Sequence, residues 1–370
     1  MKQANHKQIT PRQATAILVN ILLSGHLLIL PREISETAGT SSWLVLIVGG
    51  LAVLALTYIY TTLGRRFGKS SLPQYSVKTL GPFFGGALAL LFAASWLVMA
   101  ALASRLFSAV IITSILPRVP LENGILVMLL LGTHLSTQDV KTMARVHELL
   151  LPFIVGIITL SVIPAVSRVN VWRLLPLIDL DKLPSMGNGI LVSITAFLSF
   201  ELVAMFMPFY TNPEKAGRSH GVGIIAVTMI YLFVTMTTIG VLGQGELSYS
   251  QWPTLELVRL VDFHGVFERL EAPFLALFVL VVFTSIGSLM YGTVSVLTDL
   301  FPIKSRFNWP YLLVIPAYYL ALKPKSVIEV EHIAQVVLYI RLALVLTVPL
   351  ILLPIATIRR KEDQAGDKQV

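Results

Sequence analysis

Long apolar runs separated by short polar stretches make up most of the chain. Ten runs can be placed, and none alternates apolar and polar residues as a half-buried strand would; they lie at roughly 13–35, 42–63, 83–110, 122–138, 146–166, 187–211, 220–243, 271–298, 308–322 and 332–357. Backbone amides have no water partner in hydrocarbon, so spanning segments of this kind are helices. The pattern predicts an all-α polytopic membrane protein with about ten transmembrane helices. The fourth and ninth runs are short, so nine or eleven helices also fit.

Composition agrees with this pattern. Of the 370 residues, 55% are hydrophobic and 13% charged, and the mean hydropathy is +0.78, outside the range of soluble domains. There is no cysteine, which excludes disulfides and sulfur-ligated metals. We predict a single transmembrane domain over 1–358, with a retained first helix instead of a signal peptide, and a charged cytoplasmic tail over 359–370.

Positive charge is distributed unevenly between the loops. With the N-terminus inside, about three in five of the 28 Lys and Arg residues fall in inner loops. This bias predicts that both termini are cytoplasmic. It also explains the net charge of +8 without a nucleic acid partner, since the expected surroundings are a lipid bilayer.

Two runs are interrupted at matching positions. The first contains Ser24-Gly25-His26 in its middle and then Pro31, and the sixth contains Ser199-Phe200-Glu201 at its middle. Glycine and proline both favour unwinding of a helix. Interrupted helices in corresponding halves indicate the binding site of an inverted-repeat transporter with two five-helix halves. Alternatively, Gly25 and Pro31 only kink a packed helix.

Unwound backbone at mid-membrane suits a small zwitterionic ligand. We expect the free amides of residues 25–28 to face a carboxylate, and the carbonyls of Leu198 and Ser199 to accept from an ammonium group. Ser24, Gly25 and His26 are therefore predicted ligand-binding residues. Glu201 either accepts from the ligand ammonium or carries a proton; alternatively it caps the unwound backbone or pairs with a neighbour.

Charged residues at membrane depth are functional candidates. Arg341 in the tenth run either pairs with Glu201 or attracts a carboxylate. Glu148, at the start of the fifth helix, is a candidate for a proton path or for an inner gate with Arg145. Both are charge-coupling candidates; the alternative is a structural ion pair for Arg341 and an ordinary interfacial charge for Glu148. Arg105 lies near a helix end, where its side chain can reach the interface.

Helices three and eight are expected to complete the walls of the site. The candidates are Trp96 on the third helix and Thr284, Ser288 and Tyr291 on the eighth, which share one helix face at a spacing of i, i+4, i+7. The same stripe of hydroxyl and aromatic side chains also fits ordinary packing between helices.

Several stretches resemble known families. Residues 24–39 and 195–217 resemble the first-helix and sixth-helix signatures of the amino acid-polyamine-organocation superfamily, although His26 stands where a small residue is usual. Within that superfamily, the chain resembles the B subunit of bacterial spore germinant receptors in four further stretches: 10–13, 145–150, 252–256 and 267–271.

This resemblance implies a LeuT-type 5+5 inverted repeat with helices 1 and 6 interrupted. It further implies a protein of the spore's inner membrane that binds a small nutrient germinant, often an amino acid, and works beside an A and a C subunit. The predicted function is a nutrient-binding membrane subunit that signals spore germination. The alternatives are a proton-coupled amino-acid permease and a structural subunit with a vestigial pocket. No nucleophile-and-base motif, metal-ligand cluster or phosphate loop is recognisable, so we expect no enzyme, no catalytic residues, no cofactor and no metal.

Overall fold

The structure, a computed structural model, describes residues 8–260, 270–301 and 309–366. Within these ranges the chain forms α-helices joined by turns and short 3₁₀ helices, and its β-structure is limited to one isolated bridge between Ile9 and Tyr210. The helices are α1 Pro11–His26, α2 Leu30–Ala38, α3 Ser42–Phe67, α4 Leu72–Ser114, α5 Leu121–Ser136, α6 Val140–Val162, α7 Met186–Ala196, α8 Val203–Phe206, α9 Ala216–Leu242, α10 Gln244–Leu247, α11 Pro253–Arg259, α12 Glu271–Leu300, α13 Val314–Leu322 and α14 Val327–Gly366.

Each predicted apolar run contains at least one of these helices. Seven helical stretches of the described chain are long and apolar enough to cross a membrane, and the fourth and ninth runs are the shorter apolar helices Leu121–Ser136 and Trp309–Leu322. At 1.5 Å per residue, the 16 residues of α5 span about 24 Å, less than a bilayer core of about 30 Å. The predicted all-α membrane fold is confirmed, and the chain is an integral membrane protein.

The first interruption lies at residues 27–29, between α1 and α2. The break lies between Gly25 and Pro31, in the stretch that was expected to unwind, and α1 itself continues through His26. The position of the break follows from Pro31, which has no amide hydrogen to donate to the carbonyl four residues earlier, that of Leu27. The Thr254 hydroxyl on α11 donates to the Leu27 carbonyl instead, at 2.6 Å.

The second interruption lies where the sequence predicted it. α7 ends at Ala196, and the chain continues through Ser199 into a 3₁₀ turn at Phe200–Leu202 before α8. Ser199 has φ +99°, which makes it the one described residue other than glycine in the left-handed region. Both the first and the sixth segments are therefore broken helices.

The loop after α9 contains α10 and α11. Trp252, Thr254 and Leu255 of this loop are buried. Most of the family-like stretch 267–271 lies outside the described residues, as does the rest of 261–269. At the other end of the chain, α14 continues as a helix to Gly366, so the region predicted as a tail begins as a helical extension.

The central helix of the bundle is α12, which packs against α1, α4, α5 and α6. Close approach to α5 depends on glycine: a Cβ at Gly287 would lie 2.7 Å from Leu135 Cδ2, and one at Gly132 would overlap Ile286. Small residues serve membrane helices in this way because interhelical packing depends on close backbone contact.

The chain before α1 is tied to the end of the sixth segment by main-chain atoms. The Ile9 amide donates to the Phe209 carbonyl at 2.8 Å, and the Thr211 amide donates to the Ile9 carbonyl at 3.0 Å. α1 then begins with a capping box between Thr10 and Gln13. The two interrupted segments are thus joined at this end of the bundle.

Candidate functional site

A buried ion pair lies at the second interruption. Arg341 on α14 and Glu201 are both fully buried, with Arg341 Nη2 2.5 Å from Glu201 Oε1. The Trp96 indole donates to the same carboxylate oxygen at 3.0 Å, and the Ser199 amide donates to Glu201 Oε2 at 2.9 Å. Arg341 Nη2 also donates to Ser199 Oγ at 3.0 Å. We call Trp96, Ser199, Glu201 and Arg341 the ion-pair network.

The ion-pair network stabilises the broken backbone. Glu201 caps the amide of Ser199, the residue in the left-handed conformation, and Arg341 holds the hydroxyl of the same residue. Both carboxylate oxygens of Glu201 are engaged. Arg341 Nε and Nη1, in contrast, have no hydrogen-bond partner among the described residues. Of the alternatives considered for Arg341, pairing with Glu201 is the arrangement seen in the structure.

A cavity of about 80 Å³ lies beside the first interruption. The break residues Leu28 and Ile29 form part of its wall, and α1, α2, α4, α12 and α14 provide the rest. This volume accommodates several water molecules or a small organic molecule, because one water needs about 10–15 Å³ on this measure. We call it the first-break cavity.

The wall of the first-break cavity combines polar and apolar side chains. The polar lining comes from α1, α2 and α14: Ser24, His26, Glu33, Glu331 and Gln335. The apolar lining comes mainly from α4 and α12 and includes Leu106, Phe107, Val110, Phe278 and Val282. A side lobe of about 20 Å³ shares His26, Glu33, Gln335 and Leu338 with the main cavity and extends toward Thr195 on α7. Such a wall is typical of small-molecule sites.

The predicted site residues fall into separate groups. Ser24 and His26 line the cavity, and Gly25 lies between them inside α1. Trp96, Ser199, Glu201 and Arg341 come together in the ion-pair network, and Leu198 is buried at the same interruption. No residue of the network lines the first-break cavity.

The predicted stripe on the eighth segment faces other neighbours. Thr284 and Ser288 bond along α12, and Ser288 Oγ lies 3.0 Å from the His147 ring on α6. Asn20 on α1 donates to the His147 carbonyl at 2.9 Å. Tyr291 stacks on Phe206, with ring centroids 5.3 Å apart. These side chains join helices to one another, as the packing alternative proposed.

Glu148 pairs with the start of α1. Its carboxylate lies 3.2 Å from Arg12 Nε and accepts from Gln13 Nε2 at 3.0 Å. Arg145, the partner considered from the sequence, is exposed. The buried Arg105 guanidinium donates to the Ala321 carbonyl at 3.4 Å.

Sequence reasoning missed the acidic residues of the cavity. Glu33 lies near the end of the first predicted run and Glu331 just before the tenth, and neither was predicted as a site residue. One signal was available for Glu33: it follows Pro31 by two residues, so the helix that contains it begins anew at the break. Thr254 had no local signal, because it lies 227 residues from the carbonyl that it binds.

Comparison with known proteins identifies the family. The family model described as "Spore germination protein" matches residues 8–356. The chain belongs to the spore germination protein family. Its similarity to curated members extends over nearly the full length, and the earlier resemblance to spore germinant receptor subunits is confirmed.

Two relatives from Bacillus subtilis (strain 168) illustrate this similarity. Spore germination protein YndE is 24% identical over 359 residues, covering 96% of this chain and 98% of the relative. Spore germination protein A2 is 25% identical over 354 residues, covering 94% and 95%. GerLB from Bacillus cereus is 22% identical, and 90% of each chain is covered.

Among solved structures, the chain is similar to MHP1, a nucleobase-cation-symport-1 family transporter in a closed conformation with bromovinylhydantoin bound. The TM-score is 0.69 at 10% identity, covering 90% of this chain and 75% of that one. A likeness at this identity shows the fold, which is the predicted LeuT-type bundle of two five-helix halves. The family and the fold are those of a non-enzymatic, permease-like membrane protein.

Proposed function

We propose that this spore germination family member is a membrane subunit of a nutrient germinant receptor. A small nutrient, expected to be an amino acid, binds in the first-break cavity and the signal passes to an A and a C subunit. The cavity carries this proposal, since it lies where a helix of a permease-like bundle is interrupted and combines convergent polar groups with an apolar wall.

The location follows from the family and the charge bias. We place the protein in the inner membrane of the spore with both termini cytoplasmic. The end of the bundle that carries Arg32 then faces outward, and the first-break cavity is reached from that side. A nutrient arriving from outside the cell meets the site without crossing the membrane.

The mechanism is a shift between two arrangements of the interrupted segments. A ligand changes the population of a state only through a difference in its affinity for the two states. Ser24 and His26 form the wall on the first segment, and the ion-pair network fixes the second interruption in the arrangement seen here. Gly25, Leu198, Thr284, Ser288 and Tyr291 contribute by supporting the backbone and the helix contacts around the site.

The direct test is binding to the purified full-length chain in lipid nanodiscs, alone and together with the A and C subunits. We expect saturable binding of at least one nutrient that also triggers germination of the parent spores, and co-purification of the three subunits. If none of the germination-triggering nutrients binds saturably in either preparation, the sensing role is wrong.

The second candidate is a proton-coupled amino-acid permease, which the likeness to a transporter structure favours. Liposomes containing the protein would then accumulate labelled amino acid under a proton gradient. Glu201→Gln tests the residue proposed to carry a proton, and Glu148→Gln tests one of the two charge-coupling candidates. Ligand binding without accumulation favours the receptor.

A further inference from the structure

One carboxylate in the first-break cavity, that of Glu33, has no hydrogen-bond or ion-pair partner in the part of the chain that the structure describes. Arg32 is the nearest cation on α2, but its Nη2 is bound to Glu331 at 2.7 Å and its Nη1 donates to the Ser250 carbonyl at 3.1 Å. Glu36 is also near Arg32, at 4.0 Å. The carboxylate of Glu33 makes neither a hydrogen bond nor an ion pair with any described residue.

Glu33 occupies the junction of the cavity and its side lobe. It lines both, together with His26, Gln335 and Leu338. A carboxylate that is largely removed from water and unpaired is unfavourable, and it becomes favourable when a cation binds beside it. Because Glu33 lies in the cavity wall, the cation that binds beside it belongs to the ligand in the cavity.

The other carboxylate considered for this role is engaged. Both oxygens of Glu201 accept hydrogen bonds from the protein, and no residue of the ion-pair network lines the cavity. An ammonium group offers three donors. Glu33, the Gln335 amide oxygen and the Ser24 hydroxyl, which line one cavity, are acceptors of the matching kind.

We propose that Glu33 binds the ammonium group of the ligand, and that the ligand is a small primary amine whose apolar side chain lies against Phe107 and Phe278. This assignment rests on the proposed function, because it names the ligand class for that cavity. The affinity for the ligand then depends mainly on its ammonium group, and a carboxylate on the ligand contributes less.

Three probes with the same branched side chain separate these groups. L-valine carries an ammonium and a carboxylate, isobutylamine carries only the ammonium, and 2-hydroxyisovalerate carries only the carboxylate. Binding is measured on the full-length chain in nanodiscs, with glucose and inosine as neutral nutrients. We expect valine and isobutylamine to bind saturably and 2-hydroxyisovalerate to bind at least about 30-fold more weakly.

Variants test the residue itself. Glu33→Gln keeps the shape of the side chain and is expected to weaken valine binding by about 30-fold or more. Glu33→Asp keeps the charge and is expected to retain part of the affinity for valine. Glu36→Gln removes the same charge one turn away, on an exposed side chain, and is expected to leave the affinity within about twofold. Thermal unfolding of each variant checks the fold.

The outcomes distinguish this assignment from the proposed function. Equal affinity for 2-hydroxyisovalerate and valine, or a Glu33→Gln variant that binds valine as the parent does, overturns the assignment. Saturable binding of glucose or inosine without either amine also overturns it while leaving the sensing role intact. Absence of binding by all five compounds rules out the assignment.

Discussion

At the scale of single residues, the ion-pair network is the most constrained feature of the protein. Glu201 and Arg341 are fully buried, and each is also bound to Ser199. Transferring two charges from water is unfavourable, so such a pair is maintained only by good geometry and additional hydrogen bonds. Loss of one partner leaves the other as an uncompensated charge.

A double-mutant cycle tests this interdependence. We expect Glu201→Gln and Arg341→Gln each to lower the free energy of unfolding by about 3–5 kcal/mol, and the double variant to lose clearly less than the sum. Denaturant titration of the detergent-solubilised protein measures all three.

The matched control for this cycle is the pair Arg12–Glu148, whose side chains are 83% and 29% exposed. Glu148→Gln is expected to change the free energy of unfolding by less than about 1 kcal/mol, since solvent screens exposed pairs. Strict additivity at the buried pair would contradict our account of the network.

The sequence predicted some of these residues and not others. Glu201 and Arg341 stand out as charges inside apolar runs, so both could be identified before the structure. For Glu33, the nearby Pro31 marks a new helix start, but the depth of its side chain depends on how α2 is directed after the break. The position of a residue relative to an apolar run does not show in which direction the helix after the break points.

At the scale of elements, the two interruptions have different causes. Pro31 removes a donor and frees the Leu27 carbonyl, whereas the sixth segment turns through a left-handed residue held by Glu201. Gly25, the residue that first drew attention to the break, lies inside a continuous helix. Glycine permits a helix to unwind, whereas proline always removes one hydrogen bond from it.

The contact between Thr254 and the first break can be tested by a coupled substitution. Thr254→Val keeps the shape but leaves the Leu27 carbonyl unpaired, and we expect it to lower the free energy of unfolding by about 1–3 kcal/mol. In a Pro31→Ala background the amide of residue 31 can donate to that carbonyl, so the same change should have a smaller effect.

Thr254→Ser keeps the hydroxyl and serves as the control, with stability close to that of the parent. Denaturant titrations in the same detergent compare all the variants. An equal effect of Thr254→Val in both backgrounds would show that the proline does not cause the break. The location of the break was predictable to within a turn, but its partner on α11 was not, because no sequence pattern links residues so far apart.

At the scale of the whole molecule, the apolar pattern was sufficient to predict an all-α membrane protein and the positions of its helices. Ten runs predicted the helices, and the two short ones are short in the structure. The packing order of the helices required more, because apolar positions that face lipid resemble those that face another helix. Glycines whose α-carbon has no room for a side chain lie on packed helix faces. Gly132 and Gly287, where α5 contacts α12, are of this kind.

The difference between packed and lipid-facing glycines predicts different effects for two similar substitutions. Gly132→Leu places a side chain where Ile286 lies and should prevent stable packing of α5 on α12, seen as a large loss of folded monomer in gel filtration. Gly156→Leu on α6 meets no atom within 4 Å and should leave the yield unchanged. Equal yields from both variants would mean that α5 and α12 do not approach as described.

The tie between Ile9 and the 209–211 stretch joins the start of the first segment to the end of the sixth mainly through main-chain atoms, and the Thr211 hydroxyl adds one bond to the Ile9 carbonyl. Any amino acid except proline can supply the same donors and acceptors at these positions. A change of side chain at either place leaves the two main-chain bonds possible, and a change at Thr211 removes only the bond made by its hydroxyl. Side-chain variation at these positions therefore says little about their importance. The bonds made there join the two interrupted segments at one end of the bundle.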